Sequence, residues 1–275
     1  MKSFCFAKSE IIDSRQAQVH PSDIAILRGY AIFDFFRVVD HIPLFLSKYL
    51  DRFISSADKA GLQLVYDKSV LKDIIFQLIE KNNHREGGMR MVLTGGISKN
   101  HFHPDGGDLF IFCEPLQMPA PEKYENGVKL LSVNYVRPIP DIKTTNYTYP
   151  CYLSLNWQAQ KAEDVIYHHQ GKVSESSRSN IFMVKGNEII TPASNILKGI
   201  TREQVMRLSG TVKVEDFSLE ELLQADEAFM SSTTKRILPI TRIDEHRIGN
   251  GKPGPTTKQL MKAFYGIEQE IPSQK

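Results

Sequence analysis

Between residues 46 and 61 the apolar positions Tyr49, Leu50, Phe53, Ile54 and Ala57 recur at intervals of three and four, the spacing of one face of an amphipathic helix. A second helix is predicted over residues 69–81. The pattern then changes. Met89-Arg-Met-Val-Leu-Thr and Asp108-Leu-Phe-Ile-Phe-Cys are short runs rich in large apolar residues, set apart by Gly95-Gly96 and Gly106-Gly107, and they predict strands. Residues 1–115 therefore predict an α+β domain. From Glu114 to Glu122 three prolines favour an extended linker over a packed element, which places a boundary at residues 116–122. In the second domain, residues 123–275, strands are predicted over 128–136 and 180–190, and helices over 152–164, 201–208 and 257–265. Internal repeats and low-complexity segments are absent.

Composition narrows the function classes. A chain that is 41% hydrophobic and 24% charged is ordinary for a soluble globular protein. The net charge of +2 is the small difference between 34 basic and 32 acidic residues without long like-charge blocks, so nothing argues for nucleic acid. Lys8 and Glu10 break the apolar start before a signal-peptide core could form, and no later run is long enough to span a bilayer. No membrane partner is expected, and the expected location is cytoplasmic. Cys5, Cys113 and Cys151 are odd in number and widely spaced, which suggests neither a disulfide framework nor a Cys-x-x-Cys metal site.

The chemistry concentrates in three segments. Lys143 lies in Asp141-Ile-Lys-Thr-Thr-Asn-Tyr147, and Glu175 follows downstream in Val-Ser-Glu-Ser-Ser-Arg-Ser-Asn-Ile-Phe. A lysine condenses with an aldehyde only when its amine is deprotonated, so it needs burial or a neighbouring cation. A carboxylate facing a pyridine nitrogen keeps that nitrogen protonated and makes the ring an electron sink. The third segment, Leu197-Lys-Gly-Ile-Thr-Arg202, reads as a loop entering a helix. Thr201 is its N-cap, and Gln204 three residues on completes a capping box. The N–H groups of Ile200 and Thr201 would face an anion, with Gly199 allowing close approach. Singly, these read as a surface lysine, an exposed loop acid and an ordinary helix start. In this order they point to pyridoxal 5'-phosphate. His101, His103, Asp105 and Asp108 lack helical His spacing and read as a polar active-site loop, so no metal is expected.

With these residues in place the chain resembles the fold-type IV pyridoxal-phosphate enzymes: branched-chain aminotransferases, D-amino-acid aminotransferases and aminodeoxychorismate lyases. The resemblance runs from Arg28-Gly-Tyr30 and Phe33-Asp-Phe-Phe-Arg37 to the C-terminal Gly-Pro-Thr-Thr-Lys-Gln-Leu-Met-Lys-Ala-Phe-Tyr-Gly. It implies the two-domain α+β fold of D-amino-acid aminotransferase, with the active site between the domains, and a homodimer. It makes Lys143 the cofactor lysine and proton shuttle, Glu175 the partner of the ring nitrogen and Arg52 the phosphate arginine. Tyr147 matches the tyrosine on the ring hydroxyl, one position nearer the lysine than in the branched-chain enzymes. Ile200 and Thr201 match phosphate-binding amides, and Thr233 a phosphate-binding hydroxyl.

The implied activity is ping-pong transfer of an amino group between an amino acid and a 2-oxo acid, with branched-chain L-amino acids favoured. Phe33 stands where D-amino-acid aminotransferases carry tyrosine, and Lys99-Asn-His101 where they carry Arg-x-His. The loop Thr94-Gly-Gly-Ile-Ser-Lys-Asn-His-Phe-His lacks the Gly-Arg-Gly-Tyr-like stretch usual in the lyases. Asp34 replaces the usual glutamate of the branched-chain enzymes, and Thr144-Thr145 their Gly-rich turn. The D-amino-acid and lyase activities remain the alternatives.

Overall fold

The computed structural model describes residues 2–273. Two compact units emerge: one comprises residues up to Gln117 together with Ile142–Tyr147, the other Met118–Asp141 and Thr148–Glu270.

In the first unit, β1 (Phe4–Ala7), β2 (Glu10–Asp13), β3 (Ala31–Val39), β4 (Ile42–Pro43), β5 (Gly87–Thr94) and β6 (Leu109–Glu114) form one sheet in the order β2-β1-β6-β5-β3-β4. Every pairing in it is antiparallel. Besides the short α1 (Ile24–Arg28), two helices belong to this unit: α2 (Leu46–Lys59) packs on β3, and α3 (Lys68–Lys81) on β1 and β6. The predicted face of α2 is the buried one, through Tyr49, Leu50, Phe53 and Ala57. Asp67 caps α3 by accepting from the N–H groups of Ser69 and Val70.

The edge of β3 is shared. Its far end pairs with β4, while its near end takes the segment 142–147: Thr144 bridges Ile32, Phe33 N–H donates to the Lys143 carbonyl at 2.9 Å, and Thr145 N–H donates to Ala31 O at 2.9 Å. These main-chain bonds fix Lys143 next to Phe33.

The second unit runs α4 (Pro121–Asn126), β7 (Val128–Asn134), α5 (Thr148–Ala159), β8 (Asp164–His169), β9 (Lys172–Ser176), β10 (Asn180–Lys185), β11 (Glu188–Thr191), α6 (Ile200–Ser209), β12 (Val212–Val214), α7 (Leu219–Leu223), β13 (Glu227–Ser232), β14 (Arg236–Ile243), β15 (His246–Arg247) and α8 (Pro255–Ser273). Strand order is β12-β11-β10-β13-β14-β7-β8-β9, and β9 also pairs with β10, closing six strands into a ring. The closing pair is Glu175 opposite Asn180. Leu130, Ile166, Ile181, Met230, Leu238 and Ile240 anchor an apolar cluster of this unit.

Several elements differ from their expected extents. Residues 180–190 are not one strand but the hairpin β10–β11, turned at Gly186 with φ of +57°, where glycine carries no steric penalty. The helix expected over 152–164 is α5, displaced toward the N-terminus. Lys161 adopts a left-handed conformation, Ala162 N–H donates back to Trp157 O, and Asp164 opens a strand. Residues 115–120 have no regular structure, and Pro121 then opens a helix at the position where its missing N–H costs nothing.

Candidate active site

On the first unit, Phe33 of β3 collects the chemistry. The Lys143 Nζ sits 4.6 Å from its ring centroid, and Tyr147 meets it edge-on at 5.7 Å. A second cation, Arg90 on β5, lies 5.1 Å from the ring centroids of both Phe33 and Phe35. Arg90 is held by Glu114 on β6 through Nη2–Oε1 and Nε–Oε2 contacts of 2.6 and 3.2 Å.

Arg52 projects from α2 to the neighbouring strand position. Its Nε and Nη2 donate to the two oxygens of Asp34 at 2.9 and 2.6 Å, and Phe35 N–H donates to Asp34 Oδ1 at 2.8 Å. Asp34 is fully buried. Burial opposes the Arg52 charge, but the Asp34 carboxylate outweighs it and raises the pKa above the usual arginine value. This side-on fork leaves the remaining N–H donors of Arg52 for another anion. Asp34, with one methylene fewer than glutamate, is therefore well placed to orient the arginine.

On the second unit, Glu175 sits at the closure of the strand ring and is buried. Arg137 Nε donates to its Oε1 at 2.9 Å, and Leu197 N–H to its Oε2 at 2.9 Å. Arg137 Nη2 also donates to Pro140 O. Each carboxylate oxygen keeps lone-pair capacity for a further donor. Asn180 Nδ2 donates to Leu197 O at 2.7 Å, so the strand opposite Glu175 also anchors the loop that leads into α6. Gly199 passes so close to Asn180 that a Cβ would lie 2.2 Å from its Oδ1.

Thr201 is not the N-cap of α6. Gly199 holds that position with extended φ and ψ, no side chain caps the helix, and Ile200 is the first helical residue. The expected Thr-x-x-Gln capping box is therefore absent, because the helix begins two residues before Thr201 could cap it. The N–H groups of Ile200 and Thr201 are left for an anion at the positive end of the helix. α6 packs on β13, whose end leads into the turn bearing Thr233. The structure thus groups Arg52, Lys143 and Tyr147 on the first unit, and Glu175, Ile200, Thr201 and Thr233 on the second.

Sequence reading missed Asp34 as the Arg52 partner, and also Arg90 and Arg137. Arg90 interrupts an otherwise apolar strand and Arg137 is a buried charge in a loop, yet neither pattern names its partner. The imidazoles and carboxylates of the His101 loop build no metal-binding group; none exists among the described residues.

The amino-transferase class IV family model matches residues 31–243. A D-alanine aminotransferase of Staphylococcus haemolyticus is 31% identical over 94% of this chain and 95% of its own length. A Methanocaldococcus jannaschii protein named "Putative branched-chain-amino-acid aminotransferase" is 31% identical over 95% of each. Among solved structures, the Escherichia coli branched-chain amino acid aminotransferase superposes with a TM-score of 0.91 at 25% identity, covering 97% of this chain and 95% of that one. Fold and sequence thus define an enzyme that moves amino groups. The chain belongs to the class IV amino-transferase family, with its fold-type IV α+β architecture and its cofactor, pyridoxal 5'-phosphate. The residues present fit that cofactor: the hydroxyls of Ser179, Ser231 and Ser232 are buried without partners beside the Glu175 and Thr233 turns, and the start of α6 is uncapped.

Proposed function

We propose that the enzyme transfers the amino group of branched-chain L-amino acids to a 2-oxo acid. The observation that carries this reading is the apolar wall at the reactive amine, where Phe33 lies beneath Lys143 Nζ and Tyr147 closes its edge. An aliphatic side chain gains by burial against such rings, whereas a polar one loses hydration there. Arg90, next to the same ring, offers a charge for the amino acid carboxylate.

When bound, pyridoxal phosphate supplies an aldehyde that takes up the amino group and a ring that accepts electron density. Lys143 Nζ would hold the aldehyde between turnovers and would serve as the base for the proton on the substrate α-carbon. Arg137 and the Leu197 amide hold the Glu175 carboxylate in place, and that carboxylate would keep a proton on the ring nitrogen. On the first unit Arg52, oriented by Asp34, would hold phosphate; on the second the Ile200 and Thr201 amides and the Thr233 hydroxyl would do so. Tyr147 would donate to the ring hydroxyl. Two half-reactions share one site, so the kinetics are ping-pong. Cytoplasmic action as a homodimer completes this reading.

The second reading is a D-amino-acid aminotransferase, favoured by the S. haemolyticus relative. The test adds L-leucine, L-glutamate, D-alanine and aminodeoxychorismate separately to cofactor-loaded protein without a keto acid. Bleaching of the visible cofactor band by L-leucine and L-glutamate supports the proposal. Selective bleaching by D-alanine replaces it with the second reading. Pyruvate release from aminodeoxychorismate with the band retained makes the enzyme a lyase.

A further inference from the structure

Beneath the Glu175 turn, on the second unit, lies a buried ion pair that the proposed chemistry does not use. Lys235 Nζ donates to Asp164 Oδ2 at 3.0 Å, with side-chain exposures of 3% and 0%. Asp164 Oδ1 accepts from Ser177 Oγ at 2.5 Å and from Val165 N–H at 2.8 Å, and Oδ2 accepts from Ser176 Oγ at 3.4 Å.

The connections matter more than the charges. Ser176 and Ser177 directly follow Glu175 where β9 ends and the turn into β10 begins. Lys235 lies two residues past Thr233 in the turn between β13 and β14, and its carbonyl accepts from Tyr124 Oη at 3.1 Å. One carboxylate therefore ties the end of β9, which carries Glu175, to the turn carrying Thr233. Burying two charges costs desolvation that their attraction only partly returns, and an apolar pair of similar volume is often as stable. Stability alone therefore gives little reason for the pair, whereas a fixed spacing between two turns does.

We propose that Lys235 is a positioning residue. Through Asp164 and Ser177 it sets the Glu175 carboxylate at a fixed distance from the Thr233 hydroxyl, so that one cofactor is held correctly at ring nitrogen and phosphate together. This inference rests on the roles proposed above for Glu175 and Thr233.

The test compares holoenzyme carrying Lys235→Met, Lys235→Arg and Ser177→Ala with wild type. Ser177→Ala removes one link without leaving a bare buried charge, so it remains informative if Lys235→Met fails to fold. Readouts are the cofactor dissociation constant, the visible absorption maximum and the ³¹P shift of bound cofactor, alongside the melting temperature. Ser177→Ala is expected to weaken cofactor binding roughly five- to tenfold, the scale of one lost hydrogen bond, and to move both spectra. Lys235→Met should do the same more strongly, and Lys235→Arg should restore much of the wild-type signal. Variants that lower only the melting temperature, with affinity and both spectra unchanged, overturn the proposal. So does an unfolded Lys235→Met beside a spectroscopically normal Ser177→Ala. Glu175→Gln separates the two levels. If it moves the absorption maximum while Ser177→Ala does not, only the positioning role fails; if it leaves the maximum in place, the reading of Glu175 fails with it.

Discussion

Arg137 and Glu175 form a buried pair, with Nε 2.9 Å from Oε1 and side-chain exposures of 9% and 7%. The arginine brings an opposite charge to a carboxylate in so enclosed a place. Removing one member of a buried pair leaves the other uncompensated. Arg137→Met should therefore lower stability by about 3–5 kcal/mol in chemical denaturation and reduce kcat more than KM. Unchanged kcat in folded Arg137→Met protein would remove Arg137 from the argument.

Asp34 orients Arg52 through a two-point fork. Asp34→Asn keeps the shape but exchanges charged hydrogen bonds for neutral ones, about half as strong. Cofactor affinity, followed by fluorescence quenching on titration, should fall about tenfold, equivalent to about 1.4 kcal/mol. Arg52→Lys should cost at least as much, because an ammonium cannot span both Asp34 oxygens and still present a planar edge.

Arg90 shares the Phe33 ring with Lys143. Arg90→Met should raise KM for amino donor and keto acid about tenfold or more, the scale of a lost charged hydrogen bond, while leaving the cofactor dissociation constant unchanged. Steady-state kinetics with cofactor in excess check this, and a parallel loss of cofactor would argue for a structural role instead.

Gly199 has no room for a side chain, since a Cβ would meet Asn180 Oδ1 at 2.2 Å. Gly199→Ala should displace the start of α6, costing about 1–3 kcal/mol of stability. Retention of cofactor through gel filtration should fall as well. Wild-type retention would show that the loop absorbs the methyl group.

The thiols should differ sharply. Cys151 is exposed, whereas Cys5 and Cys113 are buried. Burial pushes the Cys113 thiol up to about 11, partly offset by its contact with Asn82. Cys5 is raised chiefly by burial. At pH 8 roughly one Cys113 thiol in a thousand is ionised even where reagent can reach it. A disulfide-exchange reagent should release one equivalent rapidly from native protein and the other two on denaturation.

Local physics wrote much of this protein into the chain itself. The face of α2 follows from a spacing of three and four, and the strands β5 and β6 from apolar runs set apart by paired glycines. Lys143, Glu175 and the Gly199-Ile200-Thr201 loop entry, each ordinary by itself, stand out because the chemistry demands these residue types in a set order. Their partners do not stand out. Arg137 reaches Glu175, Asp34 reaches Arg52 and Lys235 reaches Asp164 across 38, 18 and 71 positions. Such pairings depend on which strands close the ring and where the segment 142–147 lands on β3. A period of two or of 3.6 says which side of an element is apolar; it carries no term for the distant element that comes to face it. That choice belongs to the tertiary structure, where burying one charge obliges the fold to bring it an opposite one.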